Sequence, residues 1–334
     1  MNRALLILTV VLCAAVLPVH GQEVAEGELR SVDREVVFLN YEGPYDRIDS
    51  ADEIKGLGYY LAASLRADGR RGAFLLKYSI IRAIDPRSAA GFDADVFSID
   101  ADAKVDHIDN VRRILAGYLE GAFRYSAEDA RTLARFATIY NAVFRGNVEY
   151  LGSRYKGVVL QHLSRENAGL STKYFEWPGA TRLLVPLTHG AGEGVLGSLS
   201  TSELTEPRVI EDMRRQPDMG LEDRKDMVEL KEREVQEQQQ ELERAQERVQ
   251  GAREELAQSE KKAEEARTAA EKEKARSEVA AKEAEVKAAE AEVKAVEAQI
   301  ESKQAEIEKE RELIVSDERS RDDRAAAALS DRLY

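Results

Sequence analysis

From Lys225 to Ile314 the chain has no proline, no aromatic residue and a single glycine, Gly251. Glu, Lys, Arg, Gln and Ala alternate around thinly spaced aliphatics. Such a stretch lacks the large side chains that fill a globular core, so it must fold as long helix. Its aliphatics recur every seven residues. Val228, Val235, Leu242, Val249 and Leu256, continued by Ala263 and Ala270, form one ladder. Val279, Val286, Val293, Ile300, Ile307 and Ile314 form a second in a different register. A seven-residue apolar period keeps one seam facing a partner helix, which is the coiled-coil pattern. The change of register predicts a break between Ala270 and Val279.

The second ladder has a weak companion row. Three residues on from its rungs stand Lys282, Ala289, Val296, Lys303 and Glu310, a poor second edge for a seam. Glu278–Lys282, Glu283–Lys287 and Glu290–Lys294 add only ~0.3–0.5 kcal/mol each as i,i+4 pairs. A solitary charge-laced helix and a coiled coil both remain open. The aliphatic ladder would be idle on a solitary helix, so the coil is preferred, with a homo-oligomer formed through it.

Large side chains locate the compact part. All Phe, the single Trp and every Tyr but Tyr334 fall between Phe38 and Trp177. Of the formal net charge of −14, residues 222–334 carry −10. Neither part is basic and no Lys/Arg block stands out, which argues against nucleic acid. The first 221 residues hold 21 Arg and five Lys, whereas the helical stretch mixes the two cations. At the amino terminus, Arg3, the apolar run Ala4–Val16 and Pro18 read as a signal peptide cut before Gln22. The run is shorter than the ~20 residues of a transmembrane helix, so no span remains after cleavage. Bulky Leu12 before Cys13 argues against a lipoprotein, and a chain cut at Gln22 has no cysteine at all. The division is a signal peptide (1–21), a globular head (22–190), a flexible Gly/Ser/Thr/Pro-bearing linker (191–224), a coil or long helix (225–315) and a charged tail (316–334).

Within the head, Val36–Leu39 reads as a strand closed by a turn at Gly43-Pro44. Ser50-Ala-Asp-Glu53 is a capping box ahead of Ile54, Leu57, Leu61 and Leu65 at helical spacing. Phe74, Tyr78 and Ile81 step by four and three, which predicts a buried helix over Phe74–Ile84. Val96–Ile99 is a second strand. Ile108, Val111, Leu115, Tyr118 and Ala122 form a clear amphipathic stripe. Ser126 caps the next helix, which carries Leu133, Phe136 and Tyr140 and closes at Arg145-Gly146. Asn147 opens a third helix, with Val148, Leu151, Tyr155, Val158 and His162 on one face. Arg182–Leu187 is the last strand. The fold class is therefore mainly α: an α+β head with a small sheet of short strands, followed by a long charged coiled-coil stalk.

Motifs that would carry chemistry do not hold up. Gly192-Glu-Gly-Val-Leu-Gly197 spells a dinucleotide fingerprint, but no helix start follows to hold a pyrophosphate. Asp93, Asp95, Asp100, Asp102, Asp106 and Asp109 lack the glycine and closing glutamate of a calcium loop. His107, His162 and His189 are not spaced as zinc ligands, and no serine sits in a nucleophile elbow. No catalytic, cofactor or metal residue is assigned.

Five blocks occur in order: Phe38-Leu-Asn-Tyr-Glu-Gly-Pro-Tyr45, Asp95-Val-Phe-Ser-Ile99, Asn110-Val-Arg-Arg-Ile-Leu-Ala-Gly-Tyr-Leu119, Ile139-Tyr-Asn-Ala-Val-Phe-Arg-Gly146 and Leu163-Ser-Arg-Glu-Asn-Ala-Gly-Leu170. Together they resemble the amino-terminal domain of the 83/100-kilodalton antigen family of Borrelia and other spirochaetes, over about residues 30–190. The resemblance implies an exported envelope protein with a head and a charged helical middle, recognised by host antibody, and no enzymatic activity to transfer. The expectation is a periplasmic or envelope spacer or adaptor whose head binds an envelope protein or glycan. The alternatives are a head that is an enzyme or small-ligand binder positioned by the stalk, and a head that caps a filament of coils. An unbroken stalk of some 90 residues would reach roughly 130 Å.

Overall fold

The computed structural model describes residues 51–330 apart from 68–71, 76, 89, 102, 104, 106, 189–198 and 216–218. The expected signal peptide, the strand at Val36–Leu39, the Gly192–Gly197 motif and His189 lie outside the described residues. The chain is mainly α with a small antiparallel sheet, as its patterning predicts. Helix α1 (Ala51–Ala67) precedes strands β1 (Gly72–Leu75), β2 (Tyr78–Ala83) and β3 (Asp93–Ile99). Helices α2 (Ile108–Phe123), α3 (Ala127–Val143), α4 (Val148–Arg154) and α5 (Gly157–Leu160) follow, then a 3-10 turn (Tyr174–Glu176) and β4 (Thr181–Leu187). Two short helices, α6 (Thr201–Leu204) and α7 (Pro207–Arg214), lead into two long ones, α8 (Met219–Glu265) and α9 (Ala269–Ser330).

The sheet runs β1-β2-β3-β4, every pair antiparallel. All seven residues of β3 are buried, as befits a central strand covered on both faces. The outer edge of β4 is closed rather than open. The Asn141 side chain accepts from Leu184 N and donates to Leu184 O, both at 2.8 Å, and so imitates a neighbouring strand. Gly169 N and Ser200 N donate to Arg182 O and Pro186 O. Blocking an edge in this way removes a template for unwanted pairing.

The expected buried helix over Phe74–Ile84 is instead the β1–β2 hairpin, with Leu75 paired to Tyr78. The four-and-three spacing of Phe74, Tyr78 and Ile81 coexists with strand alternation, in which Tyr78, Ile80 and the β-branched neighbour Ile81 serve equally well. A short apolar run does not separate the two periods; pairing of Ile80 and Ile81 with Phe97 and Val96 decides for strand.

Helices α1 and α2 pack unusually close, and glycine is the cause. A Cβ on Gly58 would lie 2.0 Å from Ile114 O, and one on Gly117 would lie 2.1 Å from Lys55 O. The two backbones touch where other helix pairs are held apart by side chains.

The helix opened by Asn147 is shorter than predicted. Tyr155 turns extended, Phe92 N donates to Arg154 O at 2.8 Å and Lys156 N to Phe92 O at 3.0 Å. This pinning to the start of β3 ends α4, and the chain resumes helix only over Gly157–Leu160. Val148 and Val158 therefore do not share one helical face.

Residues 199–215, expected as flexible linker, are helical and packed. Leu199, Leu204, Val209, Ile210 and Met213 are all buried against the head. The caps were legible: Ser200 accepts from Glu203 N, and Glu206 with Pro207 opens α7. The long helices also outrun their expected bounds. Helix α8 starts at Met219, and α9 continues through the expected charged tail to Ser330.

The break in the coil is a full reversal. It falls at residues 266–268, just before the predicted interval, where Glu271 accepts from Thr268 N and Arg267 N while Thr268 Oγ1 accepts from Glu271 N. This capping box starts α9 back along α8. The stalk is thus an antiparallel hairpin; α8, at 47 residues, measures about 70 Å, not the 130 Å of a continuous rod.

Candidate functional site

The two ladders become partners of each other. Because α9 runs backward, Val228, Val235 and Leu242 come level with Ile314, Ile307 and Ile300, and these residues form one cluster with Leu221 and Val296. Further out, Val249 is buried, whereas Leu256, Val279, Val286 and Val293 are only half-buried. The register changes between the ladders where the chain turns back on itself. The weak companion row is explained as well. Lys282, Lys303 and Glu310 pair across the seam with Glu255 (2.7 Å), Glu234 (2.5 Å) and Arg224 (2.5 Å).

The root of the hairpin is fastened to the head by polar groups, of which Arg224 and Lys231 are out of water and the rest partly covered. Arg224, 1% exposed, bonds Glu310 and Asp317, and Asp317 takes two further bonds from Arg214 of α7 at 2.9 Å. The Arg214 hydrogen bonds hold the Asp317 carboxyl below its ordinary value, with Arg224 adding to the effect. Lys231, 3% exposed, reaches Glu306 at 2.8 Å and Thr205 Oγ1 at 2.7 Å. On the head side, Arg135 of α3 pairs with Asp223 at 2.5 Å, and Arg233 pairs with Asp129 at the first turn of α3. Burial raises the Asp223 carboxyl in spite of its arginine neighbours.

Helix α6 is where all three parts meet. Thr201 donates to Glu234 of α8, Ser202 to Glu306 of α9, and Thr205 accepts from Lys231. Between them Glu203, wholly buried, turns into the head. It accepts from Tyr140 at 2.7 Å, from Tyr150 at 3.3 Å, and from Arg154 through both carboxylate oxygens. Tyr155 donates in turn to Tyr140 at 3.0 Å. Burial, then Tyr155 and Glu203, push the Tyr140 phenol far above its ordinary value. These tyrosines are locked as hydrogen-bond donors and are unsuited to act as bases.

Several other charged groups of the head are likewise spent on one another. Arg82 grips Asp95 with two bonds of 2.9 and 2.8 Å, and Tyr118 donates to Asp95 at 2.5 Å. Burial works against the Arg82 charge, but the bonds to Asp95 outweigh it and raise its pKa. Lys156 pairs with Asp93 at 2.8 Å and also donates to Asp85 O. Asp100 faces Arg182, and Asp109 faces Arg112. The members of the acidic cluster that are described therefore have arginine and lysine partners, and no group of three or more His, Cys, Asp or Glu converges as a metal site among the described residues. His107 caps α2, its Nδ1 accepting from Asp109 N. His162 lies at the end of α5, its pKa lowered by burial and by Arg182.

At the opposite pole of the sheet one side chain stands out. Phe175 is 68% exposed. The turn that carries it is tied internally: Ser171 donates to Glu176 at 2.5 Å, buried Trp177 donates to Ser171 O at 2.7 Å, and Gly179 N donates to Ile99 O. That turn caps the Ile99–Thr181 end of β3 and β4, while α6 leaves from the Asp93–Leu187 end, roughly 20 Å away at strand spacing. Helix α3 runs from one end to the other, with Arg145 donating to Ala180 O and Asp129 bonded to Arg233. The hairpin thus departs from the pole opposite Phe175.

A family model described as Borrelia P83/100 protein matches residues 26–332. The chain belongs to the Borrelia P83/100 family. The match takes in the hairpin as well as the head, beyond the residues that carry the resemblance noted above. Membership makes the chain an envelope-associated, antigen-type protein. No helix among the described residues is long and apolar enough to cross a membrane. No curated protein and no solved structure matches the chain.

Sequence reasoning missed Gly58 and Gly117, the α6–α7 anchor, Glu203 and Phe175. Gly117-x-x-x-Gly121 inside an amphipathic stripe was a readable sign of close helix contact. Nothing in the sequence pairs Glu203 with tyrosines more than 45 residues away.

Proposed function

We propose that this family member is an exported, non-enzymatic adaptor of the cell envelope. The segment 1–21 directs export to the periplasm, the head engages an envelope protein or glycan, and the hairpin holds that head at a distance. The observation that supports this reading is polar disposition: a braced, exposed Phe175 at one pole and a docked hairpin at the other. A rigid aromatic side chain loses little entropy on binding and is the kind of residue that anchors an interface. The seam has its partner helix within the same chain, so the spacer role needs no second copy through that seam.

The test is cross-linking of the full chain in intact envelopes, with a photoreactive group placed beside Phe175 or at the hairpin turn. The adaptor reading expects a discrete adduct at the Phe175 pole that disappears in Phe175→Ala. Adducts only at the hairpin turn, or a pole adduct indifferent to Phe175→Ala, would rule it out.

A further inference from the structure

Along one side of the hairpin seam, ion pairs between the helices act as covers. Lys225–Glu318 (2.9 Å) and Arg311–Glu232 (2.5 Å) close the root, and Arg253–Glu290 (2.6 Å) closes a level nearer the turn. These positions follow the heptad, so two further levels fall between Glu232 and Arg253. They are occupied by Gln239 with Gln304 and by Gln246 with Glu297, and neither can form an ion pair. Between the Gln246–Glu297 level and the Arg253–Glu290 pair, which bounds it toward the turn, the seam opens into a shallow groove of about 580 Å³ floored by Val249 and Val293. Lys294 and Glu297 stand exposed on one rim, less than one helical turn apart. Neither makes an ion pair or side-chain hydrogen bond among the described residues.

We infer that two copies of this chain associate through this groove, hairpin against hairpin, about a two-fold axis. A two-fold contact requires a self-complementary surface, in which residue i meets residue j and j meets i. One unpaired cation and one unpaired anion on the same rim meet that requirement, because the axis sets each Lys294 against the other copy's Glu297. A partner of different sequence has no need of both signs. The contact covers Val293, which two helices alone leave half-buried. Its apolar floor is small, so the association is weak and salt-sensitive. It is independent of the adaptor reading and concerns a face beside the seam rather than the seam itself.

The experiment is sedimentation of the full chain across concentration, with Lys294→Glu, Glu297→Lys and the double exchange. All three changes are on exposed helix, and an unchanged circular dichroism spectrum checks folding. Each single reversal converts two attractions per dimer into repulsions and is expected to raise the dissociation constant roughly tenfold. The double exchange restores opposite charges and should return it to within about threefold of the parent. A chain that stays monomeric up to millimolar concentration overturns the inference. So does a dimer that ignores the single reversals, or one that the double exchange fails to restore.

Discussion

The root and the outer half of the hairpin are built from the same heptads yet held by different physics. At the root, Ile300, Ile307 and Ile314 are buried, and Arg224 and Lys231 are as inaccessible as core residues. Farther out, Val279, Val286 and Val293 are half-buried, and the interhelical pairs Arg248–Glu292 and Arg253–Glu290 are largely in water. The difference comes from what lies alongside. Helices α6 and α7 press on the root and cover it, so Arg224 and Lys231 are paired with carboxylates inside the protein. Exposed pairs are screened and contribute little; a buried charge without its partner is costly. One sequence pattern therefore yields a rigid foot and a compliant shaft.

The sharpest way to break the contrast is to remove one cation from each region. Arg224→Met leaves Glu310 without its buried cation and Asp317 with Arg214 alone, and is expected to cost about 3 kcal/mol in denaturant unfolding. Arg253→Ala should cost ~0–1 kcal/mol in the same assay. Equal losses would mean that the root is no drier than the shaft.

Truncating ladder residues gives a smaller, graded effect. Ile307→Ala removes a buried side chain and should destabilise the root by about 2–4 kcal/mol. Val286→Ala, already half in water, should cost about 1 kcal/mol or less. Amide exchange would locate each loss: root amides accelerate in the first variant, and only those near the turn in the second.

The smallest effect is one of pH. The Asp317 carboxyl is held below its ordinary value by Arg214 and Arg224. A depressed carboxylate contributes stability that is complete above its unfolded pKa, ~3.9, and lost as pH falls through the folded value. The stability difference between the parent and Asp317→Asn should therefore be constant near neutrality and shrink below about pH 4. A difference that instead grows on acidification would show that the Asp317 pairing is not what fastens α7 to α9.

Much of this was legible in the chain. The ladders, the caps at Ser126 and Asn147, the stripe Ile108–Ala122 and strands β3 and β4 are local patterns, and local patterns survive folding. The run Phe74–Ile84 was ambiguous because its spacing suits both a helix and a strand, and only pairing with Val96 and Phe97 resolved it. The segment 199–215 looked like linker because its polar residues outnumber its apolar ones; its order comes from Leu204, Val209, Ile210 and Met213 finding a distant core. The candidate site is the least local feature of all. Phe175 differs from a core phenylalanine only by position, and Arg224 from a surface arginine only by what covers it.

The reversal at residues 266–268 also governs how the molecule carries tension. A load applied at the turn runs lengthwise through both helices at once, and the head's grip on the root resists it in shear. A load applied to the end of α9 meets the rungs one at a time, Glu318 with Lys225 ahead of Asp317 and Ile314, and peels the pair apart. The same hairpin is thus a stiff strut when pulled from its far end and a zip when pulled beside the head.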